Sequence, residues 1–561
     1  MSLMSGLYVG VSGLQTNQNA LNTTAHNLSN IETVGYTRQQ VLMEDRNYNN
    51  LGMASVSKMQ TGLGVEYAQV RQVRDDFLDR AYRKENGRSA FYEVDYSAIS
   101  EIETLFGEFD GVAFQQSVND IWTSIQELQK DPTSAVTEGA FVNTATQFLE
   151  RAQAVYNGLS DYQNTLNSRI KGYVDEINEL GNTILELNKK IMREECGESE
   201  ANDLRDSRNY CLDKLSSLVD TTYYTNADGG IEVMIEGTVF VARDMVFEMG
   251  LDTNLGTGFV TPIWPHNEDA AVFNNNQEIS TDKNTDIGAL KAIVLARGDR
   301  RANYTDMDPD VYNYGITDIM DDKGKPEIIQ ATSASIIMNM QAELDQMVHS
   351  MVTQINNILT GEKDAINAYE QSDPKDPSLL PHYGADEDRP EELFVRLGSN
   401  RYDETGTYVP ETFDDHVNTD TLYTIANLKI NPTIAKTPTL LAGGFVTEDK
   451  QVDQAKADAL VDAFTGTFST LNPNLTTSYN YQDYYAAMVG EVATTGSVYQ
   501  SIVEAQEKAA QQLEDSRQMV AGTSSNEELT NMIKYQNAYN AASRYITVCN
   551  DMLEHLLSKL G

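Results

Sequence analysis

The sequence predicts a mainly α chain with a β-containing middle, on three observations. Apolar residues recur at heptad spacing near both ends. Eleven of the thirteen prolines fall between Pro262 and Pro438, and proline breaks helix interiors. Just ahead of that stretch lies a segment whose apolar residues alternate at period two, as in a half-buried strand. The 561 residues allow roughly three to four domains.

Leu7, Val11, Leu14, Gln18, Leu21, Ala25 and Leu28 step by 4, 3, 4, 3, 4 and 3, the period of a helix that packs along a seam. Further helices are predicted around 85–130. A long one carries Val155, Leu159, Tyr162, Leu166, Ile170, Tyr173, Ile177, Leu180, Ile184, Leu187 and Ile191, weakened but not ended by Gly172 and Gly181. Gly229 to Val241 reads as a β-hairpin with a Gly-centred turn. A helix near 331–360, bearing Ile337, Leu344, Met351 and Ile358, stops at Gly361. Residues 360–420, with clustered Asp, Glu, Pro and Tyr, read as a surface-rich insert. Helices follow at 452–465 and 483–520. A capping box of Ser525 and Glu528 then opens a helix whose Met532, Tyr535, Tyr539, Ala542, Ile546, Cys549, Leu553, Leu556 and Leu560 form a second heptad seam. Pairing the two terminal helices is the economical way to bury both seams.

The 41 basic and 84 acidic residues leave a net charge of −43, which would repel phosphates and anionic membrane surfaces, so no nucleic-acid partner is expected. No apolar stretch approaches the ~18 residues that span a bilayer, which excludes a membrane-spanning helix. Three cysteines, Cys196, Cys211 and Cys549, lack the paired spacing of a zinc site and are too few for a disulfide framework. Reduced thiols are the expectation, with a Cys196–Cys211 bridge across a helical hairpin as the alternative. Met1-Ser2-Leu3-Met4-Ser5-Gly6 has no basic segment leading an apolar one, so no cleaved secretory signal is predicted.

The first thirty residues contain no Asp, Glu, Lys or Arg, and residues 529–550 contain only Lys534 and Arg544. A helix on a soluble domain ordinarily presents charge to water. Here Ser, Thr, Asn, Gln and Gly occupy those positions, residues that can lie against protein without burying a formal charge. We expect both terminal helices to be surrounded by neighbouring subunits. Leu7, Val11, Leu14, Leu21 and Leu28 on one helix, and Tyr535, Tyr539, Ile546, Leu553 and Leu556 on the other, are the candidate assembly contacts.

Chemistry leaves little trace. Asp306 to Asp310 begins like a calcium loop, but Val311 and Thr317 stand at the sixth and twelfth positions, so a solvated acidic turn is expected. Gly10-Val11-Ser12-Gly13 lacks the last glycine of a nucleophile elbow and sits in a heptad helix, and Gly62-Leu63-Gly64 is a tight turn. The six histidines occur singly. No catalytic, metal or cofactor site is predicted.

Asn27-Leu28-Ser29-Asn30-Ile31-Glu32-Thr33-Val34-Gly35-Tyr36 resembles the N-terminal signature of bacterial flagellar rod, hook and hook-associated proteins, a heptad helix ending in an Asn-rich Gly-Tyr turn, with Val34 where proline is common. Thr37-Arg38-Gln39, Gly62 to Val65, Asp76-Phe77-Leu78, Ala201 to Arg208, Leu344-Asp345-Gln346 and Tyr535-Gln536-Asn537-Ala538-Tyr539-Asn540-Ala541 follow in the order of the hook-associated branch at the hook–filament junction. The resemblance implies an extracellular structural component of the flagellum, exported without a cleaved signal and without enzymatic activity. It adds Asn27, Asn30, Gly35, Tyr36 and Gln536 to the assembly contacts, although asparagine and glycine also end helices in any protein. It implies copies of itself, hook protein, the second junction protein and an export chaperone on the C-terminal helix as partners. Three domains are expected: a terminal coiled-coil assembly domain (1–45 with 525–561), a helical bundle (46–220 with 450–524), and β-rich, variable outer parts (221–449). A hook or distal rod protein is the nearest alternative, and a secreted adhesin or glycan-acting enzyme a remoter one.

Overall fold

The computed structural model describes all residues except 1–2, 47–48, 51–59, 108–113, 198–199, 254–256, 321–325, 373, 385–388, 413–418, 447–450 and 561. In chain order, α1 (Leu3–Ser29) is followed by β1 (Gln39–Asp45), β2 (Asn49–Asn50), β3 (Gln60–Thr61) and β4 (Val65–Gln72). Next come α2 (Asp76–Phe106), α3 (Phe114–Lys130), α4 (Ala135–Glu195) and α5 (Asn202–Leu218). The middle holds β5 (Thr221–Thr225), β6 (Ile231–Ile235), β7 (Thr238–Val241), β8 (Gly250–Asp252), β9 (Thr261–Trp264), β10 (Ala270–Ala271), α6 (Ala289–Arg297), α7 (Pro309–Tyr314), β11 (Ile316–Met320) and β12 (Pro326–Ile329). Then α8 (Ile336–Thr360), α9 (Lys363–Gln371), β13 (Phe394–Arg396), β14 (Leu428–Ile430), α10 (Pro432–Lys436), α11 (Gln454–Thr465), α12 (Tyr481–Ala521) and α13 (Ser525–Leu560) complete the chain. The mainly α class with a β-containing middle is as predicted. Two compact units are formed, one from Met1–Ala90, Asp175–Met249 and Ala505–Gly561, the other from Phe91–Val174 and Gly250–Glu504.

In the first unit α1 lies against α13 through glycines. A Cβ at Gly6 would sit 3.3 Å from Cys549 Sγ, one at Gly10 only 2.6 Å from Ile546 Cγ1, and one at Gly13 3.7 Å from Ala542 Cβ. Rising numbers on one helix meet falling numbers on the other, so the pair is antiparallel. The β1–β4 hairpin, antiparallel from Gln39↔Gln72 to Asp45↔Val65, crosses α1 at Ser12. There the Val65 N–H donates to Ser12 Oγ (3.3 Å), which donates to the Val9 carbonyl (2.9 Å). Gly64, at φ +96°, makes the crossing possible, because a Cβ would fall 2.1 Å from Ser12 Oγ.

The predicted hairpin is β6–β7, turning at Glu236 and Gly237 with φ of 47° and 77°, and β5 adds a third antiparallel strand. Asn188 of α4 holds this sheet by donating to the Ile231 carbonyl (2.8 Å) and accepting from its N–H (3.2 Å). Gly181 has a packing reason that the helical pattern does not reveal: the Phe240 ring would lie 2.4 Å from its Cβ.

The second unit is a helical core with β additions. Phe114 packs on Tyr485 and Phe148 at 5.1 and 5.5 Å between ring centroids, and Trp122 stacks on Phe464 at 6.0 Å. Each fully buried apolar side chain among these, such as Phe114 and Phe148, contributes about 1.5–3 kcal/mol. Every residue of α6 is buried, Lys291 and Arg297 included. Arg297 donates to Asn167 Oδ1 (2.5 Å) and the Val260 carbonyl (2.8 Å), while burial holds its guanidinium down at about 10. As expected, α8 stops at Gly361, in the left-handed region at φ 75°.

Three expectations are corrected. Asp306 is not solvated: it is buried, takes two N–H donors from Arg300 (2.9 and 2.8 Å) and closes a capping box with Asn303. Asp308 caps α7 instead of facing an ion. The 360–420 stretch is not merely surface: Arg401 is buried between Glu362 (2.7 Å) and Glu392 (3.0 Å), with Tyr402 and Tyr423 donating to the same two carboxylates. The acids that looked like a solvated face are matched by one arginine. Finally, Ser525 lies inside α13, and buried Glu528 pairs with Arg38 rather than closing a cap.

Gly181 and Gly172 make a paired test. Gly172→Ala, in open space, is expected to stabilise the fold by up to about 1 kcal/mol as helix propensity dictates. Gly181→Ala should lower it by about 1–2 kcal/mol through the clash with Phe240, and urea melts of both variants check the difference in sign.

Candidate assembly interface

The turn that ends α1 is built by Asn27. Fully buried, it accepts from the Tyr36 hydroxyl (2.7 Å) and the Gln39 N–H (3.0 Å) and donates to the Gln39 carbonyl (2.9 Å). An amide that meets donor and acceptor of one backbone residue mimics a strand partner, so the chain leaves the helix directly into β1. Asn30 tightens the last turn, its amide on the His26 carbonyl (3.0 Å) and its oxygen accepting from Thr33 (3.2 Å). Gly35 takes φ +80° against Tyr210, a conformation strained for other residues.

The next residues fasten this turn to both halves of the unit. The Thr37 N–H donates to Asp206 Oδ2 (3.1 Å) and Gln72 donates to Asp206 Oδ1 (2.8 Å). The Arg38 N–H donates to the Ala521 carbonyl (2.9 Å), and its guanidinium reaches Glu527 (2.8 Å) and Glu528 (3.1 Å) at the head of α13. Arg205, one residue before Asp206, forks onto Glu195 at the end of α4 (2.7 and 2.8 Å). Arg208 donates to Asn188 and to the Gly229 carbonyl. The Ala201 to Arg208 segment therefore ties the end of α4, the β5–β6–β7 sheet and the terminal turn together. Burial pushes the Asp206 carboxyl up to about 6, against the pull of the Thr37 hydrogen bonds and Arg74. Burial, with Asp203 and Asp206 nearby, likewise raises the Tyr36 hydroxyl well above its ordinary range.

On α1, Leu7, Leu14, Leu21 and Leu28 are half-buried and Val11 is exposed. On α13, Tyr535, Tyr539, Ile546 and Leu553 are half-buried, Cys549 is buried, and Gln536 and Leu556 are exposed. The most buried stripe of α1 is a different one: Ser12, Thr16, Ala20, Thr24 and Asn27. Its i, i+4 spacing of small residues was present in the sequence, and small side chains are what let the β-hairpin backbone come close. The outer surface of α13 displays Ile533, Val548, Met552 and Leu557, and that of α1 displays Tyr8 at 62% exposure. Apolar side chains exposed in this number, with only Lys534 and Arg544 charged between residues 529 and 550, mark an interaction surface. Among the described residues, no helix is long and apolar enough to cross a membrane, and no cluster of three or more His, Cys, Asp or Glu is set to hold a metal ion.

Comparison with known proteins follows this geometry. Residues 99–369 match the family described as flagellar hook-associated protein FlgK helical domain, residues 7–37 the flagella basal body rod protein family, and residues 520–559 the C-terminal region of the flagellar basal body rod FlgEFG family. Flagellar hook-associated protein 1 of Bacillus subtilis strain 168 is 25% identical over 568 aligned residues, covering 100% of this chain and 99% of that one. The chain belongs to the FlgK family of flagellar hook-associated proteins. The Salmonella typhimurium member is 27% identical over 229 residues, 40% of this chain and 38% of that one. The structure of the flagellar hook junction protein FlgK from Burkholderia pseudomallei superposes with a TM-score of 0.51 at 12% identity, covering 79% of this chain and 100% of that chain, a likeness of fold. The two rod-family matches fall on α1 with its turn and on α13, the elements that the Asn27, Asp206 and Arg38 contacts join.

Asp206 gives a pH test. With its folded value raised to about 6, the native state holds an extra proton between about pH 4 and 6, so stability falls as pH rises through that window and is level above it. Urea unfolding of Asp206→Asn should lose that component of the pH dependence, and carboxyl NMR of the parent should show a midpoint near 6. A midpoint near 4 would contradict the assignment.

Proposed function

We propose that the chain is the structural adaptor joining hook to filament in a bacterial flagellum, acting through assembly rather than catalysis. Its family is that of a flagellar component at the hook–filament junction. The observation that carries the mechanism is the set of exposed apolar side chains on the outer side of α13, in a stretch (529–550 and just beyond) whose charged residues up to 550 are Lys534 and Arg544 alone; isolated in water it would leave Ile533, Val548 and Met552 uncovered. Segments 1–45 and 525–561 act as the assembly domain. Within them, residues 1–30 and 525–560 are loose in the exported chain and become ordered when packed against the same elements of neighbouring copies. Because ordering draws on the association free energy, growth starts on a preformed end rather than spontaneously.

Hook protein beneath and the second junction protein above supply that end and its continuation. Before export, a chaperone covers α13, whose exposed apolar residues would otherwise self-associate. The assembly contacts are Leu7, Val11, Leu14, Leu21 and Leu28 with Tyr535, Gln536, Tyr539, Ile546, Leu553 and Leu556. Asn27, Asn30, Gly35 and Tyr36 act by holding the turn that positions them.

Leu553→Asp, half-buried on the seam and far along the chain from the Arg38 anchor, tests this reading. The variant should be absent from isolated hook–filament structures while the purified chain melts as the parent does, and cells carrying it should make hooks but shed flagellin. Normal junctions in that strain would contradict the mechanism.

A further inference from the structure

Between β13 and β14 the chain makes an excursion, residues 397–427, closed at its base by the antiparallel pairing from Phe394↔Ile430 to Arg396↔Leu428. It is braced within itself. Arg396 donates to the Asn400 (3.0 Å) and Val409 (3.1 Å) carbonyls, and Asn427 to those of Thr419 (3.1 Å), Asp420 (2.9 Å) and Leu422 (2.8 Å). Two polar clamps of different chemistry tie it to α8. At the C-terminal end of the helix, Arg401 reaches Asn357 Oδ1 (3.1 Å), Thr360 Oγ1 (3.2 Å) and Glu362 (2.7 Å). An arginine keeps its charge throughout the pH range in which proteins are folded.

Two turns earlier the clamp is titratable. Glu411 meets His349 Nε2 (3.0 Å) with one oxygen, and with the other accepts from the Tyr304 hydroxyl (2.7 Å) and the Tyr423 N–H (2.8 Å). The Tyr304 ring stacks on the His349 ring at 3.6 Å between centroids. Fully buried Asp345, one turn before His349, accepts from the Tyr304 N–H (2.9 Å) and the Ile425 N–H (2.6 Å). His349 and Glu411 are each 21% exposed, which leaves the pair open to exchange protons with solvent.

The surroundings of His349 favour its charged form. Glu411 acts on it from the excursion, Asp345 from its own helix and Glu370 from α9, while Tyr304 offers a ring face, which attracts a cation. Tyr408 lies near Glu411, and Lys375 near Glu370. Burial alone would lower the imidazole, but Glu411, then Asp345 and Glu370, raise it above its ordinary value. Burial pushes the Asp345 carboxyl up to about 7, against its two backbone donors and His349. Glu411 stays below the ordinary carboxylate value in spite of burial, because His349, the Tyr423 N–H and the Tyr304 hydroxyl meet it. Both raised groups hold extra protons in the folded cluster, so the stability they contribute is lost as pH rises through neutrality.

We infer that the His349–Glu411 pair is a proton-operated latch on the 397–427 excursion. With His349 charged, the excursion is held to α8 at both clamps. When the imidazole loses its proton, Glu411 and Asp345 remain as neighbouring carboxylates with no cation between them. The edge carrying Glu411, Tyr423 and Ile425 then parts from α8, while the edge held by Arg401 stays. The latch is independent of the assembly reading.

Hydrogen exchange of the full chain between about pH 6 and 9, followed by mass spectrometry and corrected for the intrinsic pH dependence of exchange, tests it. Peptides carrying the Tyr423 and Ile425 amides are expected to lose protection about tenfold across that range. The Phe394 amide, which donates to Asn356 Oδ1 (3.0 Å), should stay protected throughout. In His349→Gln the low protection should be present already at the acid end. Glu411→Gln keeps an acceptor for Tyr304 and Tyr423 but leaves no unpaired charge, so it should remain folded and lose the pH step. A step of unchanged size in Glu411→Gln, a step lost only with Asp345→Asn, or equal loss of protection at Phe394 would each overturn the latch.

Discussion

Moving a formal charge out of water costs several kcal/mol unless a partner meets it, and this constraint organises both ends of the chain. Thirty residues without a charged side chain, followed five hundred residues later by a stretch (529–550) with only Lys534 and Arg544 charged, are poorly suited to a surface that stays wet. The structure brings the two helices together antiparallel, with glycines at 6, 10 and 13 drawing them close. That pairing covers one side of each helix. The sides left over include exposed Ile533, Val548 and Met552, which only more protein can cover.

Covering those sides would be of little use if the ends were not rigidly joined to the body. The connection is polar and buried, the opposite of the helices it serves. Asn27 reads the backbone of Gln39, Asp206 receives Thr37, and Arg38 reaches the head of α13, so three consecutive residues, 37–39, are each held from a different direction. Force or order at the helices is passed to α4, α5 and the small sheet through Glu195, Arg205 and Arg208. Ionic groups recur where internal segments are clamped, as Arg300 and Arg401 show.

Much of this was legible in the amino-acid order. The α13 seam followed the heptad closely: Met532, Tyr535, Tyr539, Ala542, Ile546, Cys549 and Leu553 are all withdrawn from solvent. On α1 the leucines form only the side of the packing, because the hairpin demanded a face of Ser, Thr and Ala that a search for large apolar residues passes over. The Asp206 to Thr37 bond spans 169 positions, and nothing local to either residue announces it. Composition misled most in the acidic middle. Asp306, Glu362 and Glu392 resemble solvated charge until the single arginines that neutralise them are seen in place. Gly181 posed the same problem in miniature, since its reason for being glycine lies on a strand some sixty residues away.

The most direct test of the central claim is backbone hydrogen exchange, followed by mass spectrometry, on the dilute single chain and on isolated hook–filament structures. Amides of α1 ahead of Asn27 and of α13 beyond Met532 should exchange almost without protection in the single chain and become strongly protected after assembly. Gln39 should stay protected in both. Equal, strong protection of both terminal helices in the dilute chain would contradict the account.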